Sequence, residues 1–411
     1  MTSTDMLSRA ADLDVADPLA RFRERFLPCG DVQAYLDGNS LGRPLRATRD
    51  RLAAFVDHAW GQRLIRSWGE QWMDEPLRVG DALGDVVLGA AGGQTAMADS
   101  TSVVLYKLIR AALEAQGGRR EVVCDRDNFP SDRFVLQGIA SELDLRVRWI
   151  EVDPHTGATP DQVAAVLNDD TALVLLSHVA YRSGWLADLP EITALAHDHG
   201  ALVLWDVCHS AGVVPIELDG SGVDLAVGCT YKYLNGGPGS PAFAYVRAAL
   251  QERLRQPIWG WIGAADPFAM TAERYEPASG VRQFLSGTPA ILALQPLHDM
   301  LALLEEAGMP AIRQKSIALT EYAAELADSV LSRHGVTLAS PTDSARRGAH
   351  ITLAHPAAHA AIAQLWERGV LLDFRPPDVL RVGLSPLSTS FAELAHGVSV
   401  LDQVLSEMAD S

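Results

Sequence analysis

The chain has 411 residues, and its 52 acidic against 34 basic side chains give a formal net charge of −18. Only Lys107, Lys232 and Lys315 are lysines; the remaining basic residues are arginines. Such an acidic chain argues against nucleic acid or an anionic membrane as the main partner, because both select clustered positive charge. The length suits a large domain with a smaller one, and a hydrophobic fraction of 48% is ordinary for a globular protein.

Cys29, Cys124, Cys208 and Cys229 form no CxxC pair, and their spacings fit no metal site. Buried thiols in a reducing compartment are the expectation. No charged stretch followed by an apolar one opens the sequence, and no apolar run reaches roughly 18 residues, so neither a signal peptide nor a membrane span is expected. The expected setting is the cytoplasm.

In chain order, residues 1–30 are polar and partly helical, an arm. Residues 34–42, Ala-Tyr-Leu-Asp-Gly-Asn-Ser-Leu-Gly, read as a short strand ending in a turn, for which Asp, Asn and Gly supply the conformations. Helical periodicity covers 45–60 and 76–91. Ser100, Thr101 and Ser102 then form a polar cap before an apolar-periodic helix over 103–115. Apolar runs at 122–124, 145–150, 172–177 and 201–205 read as strands, with helices at 131–142, 160–167 and 190–199 between them. This alternation predicts an α/β fold with a mostly parallel sheet covered by helices. After about residue 290 the pattern changes to long helices at 290–307 and 310–334. Short strands follow at 350–353 and 379–382, and a last helix at 391–408. The expected division is an N-terminal segment over 1–60 that joins a smaller domain, a large domain over 61–290, and a smaller α+β domain over 291–411.

Ligands of such sheets sit beyond the carboxyl ends of the strands. Asp206 follows one apolar run, with His209 three residues on. Lys232 lies in an uncharged, glycine- and aromatic-rich block, Thr230-Tyr231-Lys232-Tyr233-Leu234-Asn235-Gly236-Gly237-Pro238-Gly239. Phe129 follows another strand. Each has an ordinary structural reading by itself: a cap, a turn, a packed ring, a solvated lysine. Together and in this order they are the parts needed to hold pyridoxal phosphate. The lysine supplies a covalent anchor for the aldehyde, the carboxylate a partner for the pyridine nitrogen, the helix start a phosphate site, and the aromatic ring a stacking face.

With these residues in view, the sequence resembles kynureninases, pyridoxal-phosphate hydrolases of the fold type I (aspartate aminotransferase) superfamily. The resemblance runs from Asp37-Gly38-Asn39-Ser40-Leu41-Gly42 through Leu64-Ile65-Arg66-Ser67-Trp68, Asn128-Phe129-Pro130-Ser131-Asp132 and Trp205-Asp206-Val207-Cys208-His209. It continues through the Lys232 block and Leu285-Ser286-Gly287-Thr288-Pro289 to Arg381-Val382-Gly383-Leu384-Ser385-Pro386-Leu387.

The resemblance implies a seven-stranded large-domain sheet and pyridoxal 5'-phosphate as cofactor. Lys232 would be its covalent anchor, Asp206 the partner of its ring nitrogen, and Ser100, Thr101 and Tyr231 its phosphate ligands. Phe129 would stack on the ring, and Asp132, Ser177 and His209 would line it. Tyr231 would either move a proton or serve the phosphate alone. Trp261 and Thr288 would reach the neighbouring subunit's cofactor, making a homodimer with shared sites. Arg381 would grip the substrate α-carboxylate, a task suited to a guanidinium fork. Asn39, Ser40, Trp68 and Ala264 would border the substrate. The implied reaction is hydrolytic Cβ–Cγ cleavage of kynurenine to anthranilate and L-alanine.

Two departures from the family pattern stand out. Gly260-Trp261-Ile262-Gly263-Ala264 replaces Gly-Trp-Phe-Gly-His, and His178-Val179-Ala180-Tyr181-Arg182-Ser183-Gly184 replaces His-Val-Asn-Tyr-Lys-Thr-Gly. Each removes a hydrogen-bonding side chain, which is either drift or a pocket retuned for a ring-hydroxylated or methylated kynurenine. Two other readings remain open at this level: a lyase or transferase of the same fold acting on another β-substituted amino acid, and a non-catalytic pyridoxal-phosphate-binding protein.

Overall fold

The computed structural model describes residues 3–270 and 273–410. Its strands, in chain order, are β1 (Ala34–Tyr35), β2 (Thr95–Ala98), β3 (Glu121–Asp125), β4 (Arg146–Ile150), β5 (Thr171–Ser177), β6 (Leu202–Asp206) and β7 (Leu225–Gly228). They continue as β8 (Ala242–Val246), β9 (Thr337–Leu338), β10 (His350–Ala354), β11 (Val370–Leu371), β12 (Asp373–Arg375) and β13 (Val379–Gly383).

Seven strands form one sheet in the order β2-β8-β7-β6-β5-β3-β4. The run from β7 to β4 is parallel, and β8 is antiparallel to both β7 and β2. The central strands β5 and β6 are buried almost throughout, as continuous Val and Leu runs covered on both faces require. Edge strand β4 instead alternates, and its outward Arg146 and Arg148 both pair with the buried Glu121 of β3. Charge on an edge strand discourages further strand addition.

A second sheet, β12-β13-β10-β9, is antiparallel, and β1 pairs with β11 beside it. Its apolar core also takes in Met6 and Ala10 from the first helix, Ser3–Ala16, which packs against the last helix, Phe391–Ala409. The strands expected at 122–124, 145–150, 172–177 and 201–205 are present as β3 to β6, and those at 350–353 and 379–382 as β10 and β13. The structure adds β2, β7 and β8, the first two being four-residue runs rich in small residues. The regular helix expected over 160–167 is only Pro160–Ala164.

The parallel register brings strand ends into line. Ser177 of β5 lies opposite Asp206 of β6, which lies opposite Val227 of β7. At the end of β3, burial and the charge of Asp127 raise the Asp125 carboxyl to about 7. The folded chain thus holds a proton that the unfolded chain has released, and stability drains as pH rises from about 4 through 7. Asp125→Asn removes that loss. In urea titrations its stability relative to the native chain should become more favourable between pH 5 and 8, by on the order of 1–3 kcal/mol. A difference that stays flat across this range would contradict the assignment.

Candidate active site

A cavity of about 490 Å³ opens at these strand ends. Of the residues singled out in the sequence, Ser100, Thr101, Phe129, Asp132, Asp206, Tyr231, Lys232 and Thr288 line it. Lys232 is 7% exposed, and its Nζ lies 3.0 Å from His209 Nε2 and 5.4 Å from the centre of the Phe129 ring. Burial, then the charges of Lys232 and Arg381, push the His209 imidazole well below its usual pKa. A neutral ring beside an amine can accept its hydrogen bond without adding a second buried charge.

Asp206 accepts the Cys208 N–H at 2.7 Å through one carboxyl oxygen. Asp132 stands beside it, 1% exposed, with no donor on either of its oxygens. Burial, then the negative charge of Asp206, drive the Asp132 carboxyl well above the ordinary range. Two adjacent buried carboxyls of this kind form a site awaiting a cationic or N–H-bearing partner. Burial, followed by the Cys229 and Cys208 thiols, pushes the Tyr231 phenol upward, so it keeps its proton. Phe129 is fixed edge-on by Tyr181, ring centres 5.2 Å apart.

Ser100 is the N-cap of the helix Thr101–Ala115, yet its side chain makes no bond back to its own helix. Its hydroxyl and the first free N–H groups of that helix remain available to an anion. The set fits pyridoxal phosphate on these observations: a buried amine, two adjacent carboxyls of which Asp132 has no donor, and an uncommitted helix start around one cavity.

The other expected residues lie outside the cavity wall. Ser177 donates to Asn128 Oδ1 at 2.7 Å, which sets the loop before Phe129. His209 stands behind Lys232. Arg381 is 1% exposed, and each of its nitrogens has a partner: Nε reaches Asp373 Oδ2 at 2.8 Å, Nη1 the Tyr181 carbonyl at 2.8 Å, and Nη2 the Ser40 hydroxyl at 3.0 Å. Asn39 is wholly buried with neither amide atom partnered, packed so closely on Gly383 that a Cβ there would come 1.8 Å from its Oδ1. The turn of Asn39 and Ser40 docks through Gly42, whose N–H donates to the Tyr231 carbonyl at 2.8 Å; a Cβ on Gly42 would meet the Lys232 carbonyl at 2.3 Å. The Asp-Gly-Asn-Ser-Leu-Gly motif therefore braces the lysine segment directly.

Trp261 and Trp68 meet edge to face, ring centres 6.3 Å apart, next to a half-buried Ala264. Trp261 is 36% exposed among the exposed Trp259, Phe268 and Met270. Thr288, expected to serve a neighbouring subunit, lines the cavity of its own chain. Sequence reasoning missed Asp373 and His350. Asp373 lies directly opposite Arg381 in the β12–β13 pairing. The two stand at equal spacing about Pro377, a hairpin signal for a cross-strand ion pair. His350 is fully buried 5.9 Å from His209.

The fold and this site define a pyridoxal-phosphate enzyme of fold type I. Solved structures agree. A cysteine desulfurase from Thermococcus onnurineus matches with a TM-score of 0.81 at 17% identity, over 94% of this chain and 98% of that one. A C-DES mutant with glycine covalently linked to its PLP cofactor matches with 0.82 at 18% identity, over 92% and 98%. At such identity the likeness is one of fold. Residues 81–240 match the family described as Cys/Met metabolism PLP-dependent enzyme, and residues 312–401 the kynureninase C-terminal domain. The kynureninase of Pseudomonas fluorescens is 40% identical over 96% of this chain and 94% of its own length. That of Deinococcus radiodurans is 41% identical over 98% and 97%. The chain belongs to the kynureninase family, and its cofactor is pyridoxal 5'-phosphate.

Removing one partner from a buried ion pair costs about 3–5 kcal/mol, because the other charge is stranded. Arg381→Met should lower unfolding stability by less than that, about 1–3 kcal/mol in urea titrations, since Asp373 is only partly buried and keeps Arg375, whose Nε stands 2.9 Å from the same carboxyl oxygen. A loss under about 1 kcal/mol would show that Asp373 is satisfied elsewhere.

Proposed function

We propose that this chain is a kynureninase-type hydrolase, cleaving the Cβ–Cγ bond of kynurenine or a ring-substituted kynurenine to give an anthranilate and L-alanine. The single observation that carries the reading is the buried Lys232 amine held on neutral His209 at 3.0 Å in the carboxyl-lined cavity, in a chain with family-level identity over nearly its whole length. Residues 61–290 would carry the cofactor and 291–411 the carboxylate-binding side.

When bound, the cofactor supplies an aldehyde for amines and an electron-withdrawing ring. Lys232 would anchor it and would take the α-proton of the substrate; His209 would keep the amine placed and accept its hydrogen bond. Asp206, with Asp132 beside it, holds the ring nitrogen. Ser100, Thr101 and the helix start hold the phosphate, joined by Tyr231, whose retained proton also makes it a donor. Phe129 packs on the ring face. Arg381, oriented by Asp373 and Ser40, receives the α-carboxylate. Water adds to the γ-carbonyl, and the Cβ–Cγ bond breaks between the two product halves.

A homodimer with shared sites belongs to this reading. Its support is the exposed apolar group of Trp259, Trp261, Phe268 and Met270. The cytoplasm is the proposed setting, supported by four free cysteines, three of them buried; among the described residues no helix is long and apolar enough to cross a membrane.

Lys232→Ala should abolish both anthranilate release and the visible absorbance of the cofactor-loaded enzyme. Retained turnover would overturn the assignment. The loss of hydrogen-bonding groups at Ala264 and Ala180 favours a substituted ring. We expect a higher kcat/KM for 3-hydroxykynurenine than for kynurenine, and ordinary rates with a strong preference for plain kynurenine would refute this.

A further inference from the structure

Lys107 touches neither the cavity nor Lys232, yet it is buried at 1% exposure. Its Nζ bonds Asp99 Oδ2 at 2.5 Å and the Phe284 carbonyl at 2.9 Å. Asp99 is the residue immediately before the Ser100 cap, and it sits in the left-handed backbone region at φ 42°. A non-glycine residue there needs its surroundings to hold it. Two contacts do so: its carbonyl accepts the Ala242 N–H at 2.9 Å, and its carboxylate is held by Lys107. Phe284 ends the turn Gly280–Phe284, and the residues that follow, Leu285 to Ala290, line the cavity together with Asp99 to Ser102. One ammonium thus ties two cavity walls together.

The charge arithmetic is equally pointed. Asp99 puts a carboxylate one residue from the helix start that would receive a phosphate. Left bare, it would repel that dianion at the helix start, a repulsion weakened by the solvent that reaches Asp99 and Ser100. Paired with Lys107, it does not.

We propose that Lys107 is a positioning residue for the cofactor phosphate: it clamps Asp99 and Phe284 so that the helix start is correctly presented, and it neutralises the carboxylate beside it. This rests on the reading that Ser100 and Thr101 hold the phosphate.

The test compares apoenzyme affinity for pyridoxal 5'-phosphate with that for pyridoxal, which lacks the phosphate, by tryptophan fluorescence and visible absorbance. In Lys107→Met the phosphate form should bind about tenfold more weakly while pyridoxal affinity stays within about twofold. A merely structural role would weaken both equally. Asp99→Asn tolerates the left-handed backbone and removes the repelling charge, so its loss should be smaller, about threefold. The double variant should match Asp99→Asn rather than add to it. If Lys107→Met does not fold, Asp99→Asn and the uncharged double variant decide. Unchanged discrimination between the two forms in the foldable variants, or equal loss of both, overturns the proposal. Ser100→Ala separates the two levels. If it weakens phosphate-form binding while the Lys107 and Asp99 variants do not, only this proposal fails. If it too leaves discrimination intact, the phosphate reading fails and this proposal with it.

Discussion

The parallel register of β3, β5, β6 and β7 is the constraint on which everything else here rests. Hydrogen bonding between these strands fixes their carboxyl ends on one edge of the sheet. The loops that leave them carry Asn128 and Phe129, Asp206 and His209, and Tyr231 and Lys232. None of these residues chooses its neighbours locally; the sheet chooses for them. A slip of one position in β6 would turn Asp206 to the opposite face and leave Asp132 without its neighbour.

On that frame, burial supplies the chemistry. The site holds an amine, two carboxyls, a phenol and an imidazole where water is scarce, so each group is tuned by the next. Burial, then the charge of Asp206, raises the Asp132 carboxyl, and burial, then the charges of Lys232 and Arg381, lowers the His209 imidazole. Outside the cavity the same economy appears in Arg381, each of whose nitrogens bonds Asp373, Tyr181 or Ser40. Those bonds hold the guanidinium in one orientation.

Much of this was legible in the sequence because the informative residues sit where patterns are strongest. Continuous apolar runs mark β3 to β6, and the residues just after them are the site. The strands β2 and β7 escaped because Thr-Ala-Met-Ala and Leu-Ala-Val-Gly are only four residues long and rich in small residues; β8, Ala-Phe-Ala-Tyr-Val, carries three strand formers and was a readable signal. Partnerships across long sequence separations were also hidden. Nothing local to Asp99 announces the Phe284 carbonyl near its lysine, and nothing local to Asn39 announces Gly383. The Asp373–Arg381 pair was visible in principle, through its symmetric placement about Pro377, but only once the hairpin was recognised.

The three lysines are 1%, 7% and 5% exposed, at Lys107, Lys232 and Lys315, and the last is tied to Asp17 at 2.6 Å. The outer surface is therefore built of arginine, carboxylate and neutral side chains, with no lysine amine on it. Reagents that depend on surface lysines, such as succinimide-ester dyes, glutaraldehyde cross-linkers and amine-coupling resins, have no lysine to seize on the folded protein. Immobilisation or labelling of this enzyme is better directed at its abundant carboxylates or the partly exposed Cys29 thiol. An aldehyde that reacts with a lysine of the folded chain must first have entered its interior.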